Sequence, residues 1–152
     1  MAASGLAKLA NFSVKLNNQL VALASSLGFF LSFTARFYLA YVFFKSGLTK
    51  ISNWELTLFL FEYEYAVPLL PIALSAYLST FFELVSPILL ACGLFTRFAA
   101  LSLFLMSAVI QFFVYQHLSH FFWLYLSGYL MVNGGGKLTI DYYLSKYTPL
   151  KL

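Results

Sequence analysis

IALSAYLSTFFELVSPILLACGLF, running from Ile72 to Phe95, carries a single formal charge, at Glu83. A helix needs about 20 mostly apolar residues, rising about 1.5 Å each, to cross a ~30 Å hydrocarbon layer. Lipid offers no water to bond with exposed amides, so a lone segment of this kind must be a helix and not an open strand. Three more stretches read the same way: residues 23–48, 98–116 and 118–133. The last is short and rich in aromatics, and its upstream boundary is the least defined of the set. These readings predict an all-α integral membrane four-helix bundle in one domain, residues 1–152.

Composition agrees. Apolar residues make up 62% of the 152 and charged residues 9%, against about half and about a quarter in soluble domains. Such a chain hides its Leu, Phe and Tyr in lipid. Cys92 is the only cysteine, which excludes an internal disulfide and a CxxC redox pair; in its apolar run it reads as a small buried hydrophobe. No phosphate-cradling glycine loop, GxSxG or HExxH is present, and no basic face supports nucleic-acid binding.

The connections carry their own signals. Gly93-Leu-Phe-Thr-Arg97 reads as a tight turn, and Gly134-Gly135-Gly136 as the end of the fourth helix, where glycine adopts the left-handed conformation. The one long connection, 52–71, holds Glu55, Glu62 and Glu64 among Trp54, Phe59, Phe61, Tyr63 and Tyr65. Aromatic side chains favour the lipid–water boundary, so it reads as an interfacial helix and loop ended by Pro68 and Pro71. Residues 4–19 alternate Leu6, Leu9 and Leu16 with Lys8, Asn11, Lys15 and Asn18, the pattern of an amphipathic helix lying on a membrane. Lys8, Lys15, Arg97, Lys137, Lys146 and Lys151 fall on one side, with Lys45 and Lys50 on the other. The positive-inside rule then puts both termini in the cytoplasm.

Charged residues inside spans are costly and are functional candidates by default. Arg36 lies 13 residues beyond Leu23, and Glu83 lies 12 residues before Phe95. On antiparallel helices these offsets give depths of about 20 and about 18 Å. The expectation is a buried Arg36–Glu83 pair, serving either as a structural clasp or as the wall of a polar site. The same arithmetic brings Gln111 and His120 near that plane. Lys45 is expected either to snorkel to the outer surface or to pair there with Glu62 or Glu64 of the connection, with Lys50 a further outer-face contact. His117 and His120, spaced i and i+3, share a helix face, but two imidazoles without further ligands point to hydrogen bonding and not to a metal or haem.

Three pieces of the chain, in order, resemble the DoxX family. These are Arg36-Phe-Tyr-Leu-Ala-Tyr-Val-Phe-Phe-Lys-Ser-Gly-Leu-Thr-Lys50, then Glu83 with Leu89-Leu-Ala-Cys-Gly-Leu-Phe-Thr-Arg97, and Asn133-Gly-Gly-Gly-Lys-Leu-Thr-Ile-Asp141. The stretch 61–71 resembles a subgroup encoded beside small metal-stress peptides. The resemblance implies a multi-pass four-helix protein of the bacterial inner membrane and a link to quinone-coupled oxidoreduction and stress response. It does not imply independent catalysis. The leading expectation is a quinone-interacting or redox-accessory subunit. In it Arg36 and Glu83 would bond a quinone carbonyl, and Tyr38, Tyr41, Phe82 and Trp123 would pack on its ring. The alternatives are a non-catalytic scaffold or maturation factor docking a protein partner through 52–71, and a small-solute transporter whose path would need a homo-oligomer.

Overall fold

The computed structural model describes residues 2–65, 70–114 and 116–147, with side chains from residue 11 onward. Pro68, Lys151 and the side chains of Leu6, Lys8 and Leu9 lie outside the described residues. Every regular element among those described is helical. In order they are α1 (Ala2–Ser52), α2 (Trp54–Leu60), a π-helical turn (Phe61–Tyr65), α3 (Ile72–Cys92), α4 (Thr96–Val109), a second π-helical turn (Ile110–Val114), α5 (Leu118–Asn133) and α6 (Ile140–Tyr147).

Among the described residues, three helical stretches are long and apolar enough to cross a membrane: Asn11–Ser52, Ile72–Cys92 and Thr96–Val114. The stretch read as a fourth span is the helix α5, within the predicted bounds, but it is not among the three. Its 16 residues rise about 24 Å, less than a ~30 Å layer asks for.

The chain forms two compact units, Met1–Leu31 and Ser32–Leu152. The first is helix alone. Its serines bond back within the helix, Ser25 Oγ to the Val21 carbonyl at 2.8 Å and Ser26 Oγ to that of Ala22 at 3.1 Å. Phe12, Leu20, Leu27 and Phe30 are exposed. The helical assignment runs on past Gln19 with no break before Leu23, because the sequence there holds neither proline nor a glycine stop. The predicted amphipathic helix and the first span are therefore one element.

In the second unit, α4 packs against both α3 and α5. The core joins Ala35, Leu39, Ala40 and Phe43 of α1 to Leu90, Ala99, Ala100, Leu103, Leu126 and Leu130. Small buried residues recur where the helices meet: Ser86, Ala99, Ala100, Ser107 and Ser127 are each at most 1% exposed. In lipid, where apolar surface gains little by leaving the solvent, close backbone approach and interhelical hydrogen bonds hold helices together. Ser86 Oγ and Ser102 Oγ, 2.6 Å apart, supply one such bond between α3 and α4. Pro87, inside α3, withdraws the amide that would bond to the Glu83 carbonyl, a loss that neighbouring helices make tolerable.

The turns follow the sequence. Gly93 ends α3 at φ 68°, with the Leu94 amide on the Leu89 carbonyl and the Gly93 amide on that of Leu90. Gly134 ends α5 at φ 75°. Cys92 is exposed at the last turn of α3, contrary to the buried role expected of it, because that helix stops one residue later. The 52–71 connection is helical through Tyr65, with Asn53 Oδ1 capping α2 at the Leu56 amide.

Candidate functional site

Lys50 stands in the last turn of α1, and Glu83 in the middle of α3. Gly47 lets the two helices approach. A Cβ there would come within 2.9 Å of the Leu84 side chain and 3.2 Å of the Glu83 backbone. Across this contact Lys50 Nζ donates to Glu83 Oε1 at 2.6 Å and also reaches Oε2. Ser79 Oγ approaches the same carboxylate at 3.5 Å, and Lys50 also donates to Ser46 Oγ at 3.3 Å. Glu83 is 2% exposed. Removing Lys50, whose side chain is 14% exposed, would strand this carboxylate away from water.

The pair opens on a cavity of about 470 Å³, within the usual range of small-molecule sites, about 300–1,000 Å³. Phe43, Phe61, Phe82 and Trp123 wall it, with His120, Ser75 and Ser79 as further polar groups. Ser75 is 6% exposed, and its hydroxyl has no hydrogen-bond partner. The result is an apolar, aromatic space with a cation–carboxylate pair in its wall and an unanswered hydroxyl besides. Its chemistry suits an apolar molecule carrying a few hydrogen-bonding oxygens.

Arg36 is not part of it. Its guanidinium donates to four carbonyls: Nε to Leu90 at 2.9 Å, Nη2 to Ala91 at 3.0 Å, and Nη1 to Gly135 at 3.2 Å and to Leu138 at 2.7 Å. The first two belong to the last turn of α3, whose carbonyls lie at the negative end of the helix dipole; the Leu90 carbonyl also accepts from the Gly93 amide. Gly135 must be glycine for this contact, because a Cβ would meet Thr139 Cγ2 at 2.5 Å and Arg36 Cδ at 3.0 Å. The expected Arg36–Glu83 pair is therefore replaced by two arrangements, an arginine clamp on carbonyls and a Lys50–Glu83 ion pair. The depth arithmetic failed at its starting point. The apolar stretch of α1, Asn11–Ser52, is longer than one crossing requires, so an offset counted from Leu23 is not a depth. Arg36 stands level with Leu90, seven residues beyond Glu83, an offset of about 10 Å.

The other predicted residues divide. Phe82, Trp123 and His120 join Glu83 at the cavity. Tyr38 and Tyr41 do not line it. Tyr38 Oη accepts from Trp123 Nε1 at 3.3 Å, and Tyr41 is 66% exposed on the outside of α1. Gln111 is buried in the second π-helical turn, where Oε1 accepts from the His117 amide at 3.3 Å. His117 Nδ1 caps α5 at the Ser119 amide. Lys45, Glu62 and Glu64 are exposed, and among the described residues none makes the expected outer-face ion pair; Lys50 is instead held by Glu83. The residues that sequence reasoning missed had a visible signal. Ser75, Ser79 and Glu83 stand at i, i+4 and i+8, and Ser46 and Lys50 at i and i+4, each set a polar stripe along one helix face.

Asp141 secures the turn between α3 and α4. Its two carboxylate oxygens accept from the Phe95 and Thr96 amides, each at 2.8 Å, and its own amide donates to the Gly93 carbonyl at 2.9 Å. This capping of α4 by a distant carboxylate gives the closing Asp of the glycine-rich stretch a structural reason. Asp141→Ala is expected to lower stability by about 2 kcal/mol, as for a strong helix cap, read as an earlier melting midpoint in detergent. Asp141→Asn, with one oxygen, should fall between.

Helices fit for a membrane, a buried ion pair and a cavity beside it define an α-helical membrane protein with a polar site at helix contacts. The chain belongs to the DoxX family, whose model matches residues 31–116. That match begins one residue before the second unit and takes in Arg36, Lys50 and Glu83. A relative from Haemophilus influenzae, described only as an uncharacterized protein, is 31% identical over 130 residues, 76% of this chain and 84% of the relative. No solved structure matches the chain.

Proposed function

We propose that this protein is a redox-accessory membrane subunit that binds a quinone beside the Lys50–Glu83 pair. One observation carries the reading: a buried ion pair opens on a cavity whose remaining wall is largely aromatic and aliphatic. The three lysine donors meet both Glu83 oxygens and Ser46 Oγ, so a quinone carbonyl would take over the bond now given to Ser46, while the Glu83 oxygens can also accept from the hydroxyl of its reduced form. Phe43, Phe82 and Trp123 supply flat apolar surface for the ring. In this reading α5 completes a four-helix bundle in the bacterial inner membrane with both termini cytoplasmic. Lys50, held by Glu83, then no longer counts among free outer charges, which strengthens the positive bias on the cytoplasmic side.

Trp123 provides the test. In a Trp54→Phe variant it is the sole indole. Titration with a quinone in detergent should quench its fluorescence saturably, and Glu83→Gln should remove the saturable part. Quenching that never saturates, or that is the same in Glu83→Gln, would refute the proposal.

A docking role has its own support in the exposed acidic and aromatic segment, where Phe59 is 56% and Tyr63 68% exposed beside Glu62 and Glu64. A photo-crosslinker at position 63 that traps a defined protein in native membranes, in cells where quinone binding is absent, would favour a scaffold.

A further inference from the structure

Beyond the far end of α3, a second cavity of about 400 Å³ lies between the start of α4 and the glycine-rich loop. Two cations border it, Arg97 and Lys137, and neither has a carboxylate partner among the described residues. Asp141 is also on the wall, but both its oxygens are taken by backbone amides. Arg97 gives one long hydrogen bond, Nη1 to the Met131 carbonyl at 3.4 Å, and the rest of its guanidinium fork is available to an oxyanion. Thr96, 1% exposed, adds a hydroxyl with no hydrogen-bond partner to the same wall.

An apolar track starts at this cavity. Phe98, on its wall, is 58% exposed, and Leu101 and Leu105 are 38% and 55% exposed. Their spacing puts them on one face of α4, over a rise of about 10 Å toward the bilayer centre. A soluble phosphate would use the cations and leave the track bare. A phospholipid would use both, with its phosphate between Arg97 and Lys137 and an acyl chain along Phe98, Leu101 and Leu105. We propose that this cavity is a binding site for the phosphate of an anionic membrane lipid. It stands apart from the quinone reading, although the lipid chain would form part of the larger cavity's rim, which the same three side chains border. Basic pockets at the cytoplasmic ends of membrane helices recognise such head groups.

The experiment uses the full chain in a non-ionic detergent with phosphatidylglycerol, phosphatidylcholine or inorganic phosphate, read by native mass spectrometry and by melting midpoint. Phosphatidylglycerol should stay bound and raise the midpoint, while the other two do neither. The Arg97→Gln/Lys137→Gln variant should retain phosphatidylglycerol more weakly, on the order of tenfold or more, while melting as the unaltered protein does without lipid. Should that double variant fail to fold, Lys137→Gln alone, an exposed side chain, is expected to show a several-fold loss. Equal retention of the two lipids, or undiminished retention by the variants, would overturn the proposal. Equal stabilisation by inorganic phosphate would overturn it in favour of a soluble anion.

Discussion

Replacing Arg36 with methionine is expected to lower the unfolding free energy by about 3–5 kcal/mol, the range for stripping the partner from buried polar groups. The midpoint should fall by roughly 10 °C for a chain of this size. Four carbonyls on two separate segments lose a donor at once: Ala91 and Leu90 at the end of α3, the latter keeping only the Gly93 amide, and Gly135 and Leu138 in the glycine-rich loop. Methionine fills most of the volume and answers none of them. Arg36→Lys keeps the charge at the helix terminus but brings three donors in place of five and no planar fork, so it should fall between. The loop should also loosen, and trypsin should cut after Lys137 sooner in Arg36→Met than in the unaltered protein. The clamp further predicts that Arg36→Met and Glu83→Gln act additively in a double-mutant cycle, since they share no bonding partner. A midpoint unmoved by Arg36→Met, or strong coupling between the two positions, would remove the clamp.

The clamp also explains how far the sequence could be read. Helices and turns were legible because each rests on local chemistry: apolar length for α3 and for 96–114, and glycine at positive φ for Gly93 and Gly134. The end of α5 was legible to the residue. Register was not. Where a helix enters the bundle depends on which carbonyls a distant side chain can reach, and an apolar stretch as long as the one opening α1 gives hydropathy no landmark. Arg36 and Glu83 were rightly singled out as buried charges, at 2% exposure each. Matching them to each other failed because a carbonyl cluster at a helix terminus is an equally good partner for arginine, and it has no sequence signature beyond the glycine that follows. Lys50 looked like an outer-surface charge from its place at a helix end. The small residue Gly47 one turn earlier, facing Leu84, was the sign that this end is packed against a neighbour.

The Lys50–Glu83 pair separates structure from function in a way the clamp cannot. Lys50→Met should cost about 3–5 kcal/mol, because it strands the Glu83 carboxylate where water does not reach; Glu83→Leu should cost less, because the Lys50 side chain is 14% exposed. Made together, they replace the pair with apolar side chains of similar length, and such replacements are often neutral or stabilising. The double variant should therefore melt near the unaltered protein, with a coupling energy of about 3 kcal/mol or more in the cycle. If the pair serves only to hold α1 against α3, the double variant should be intact in every respect. If the pair is the polar end of a quinone site, it should be well folded and unable to bind, with the saturable quenching of Trp123 gone. Binding retained by a stable double variant would end the quinone reading while leaving the fold as described. Single variants that melt normally would show instead that the two charges stay within reach of water, and the buried pair itself would have to be given up.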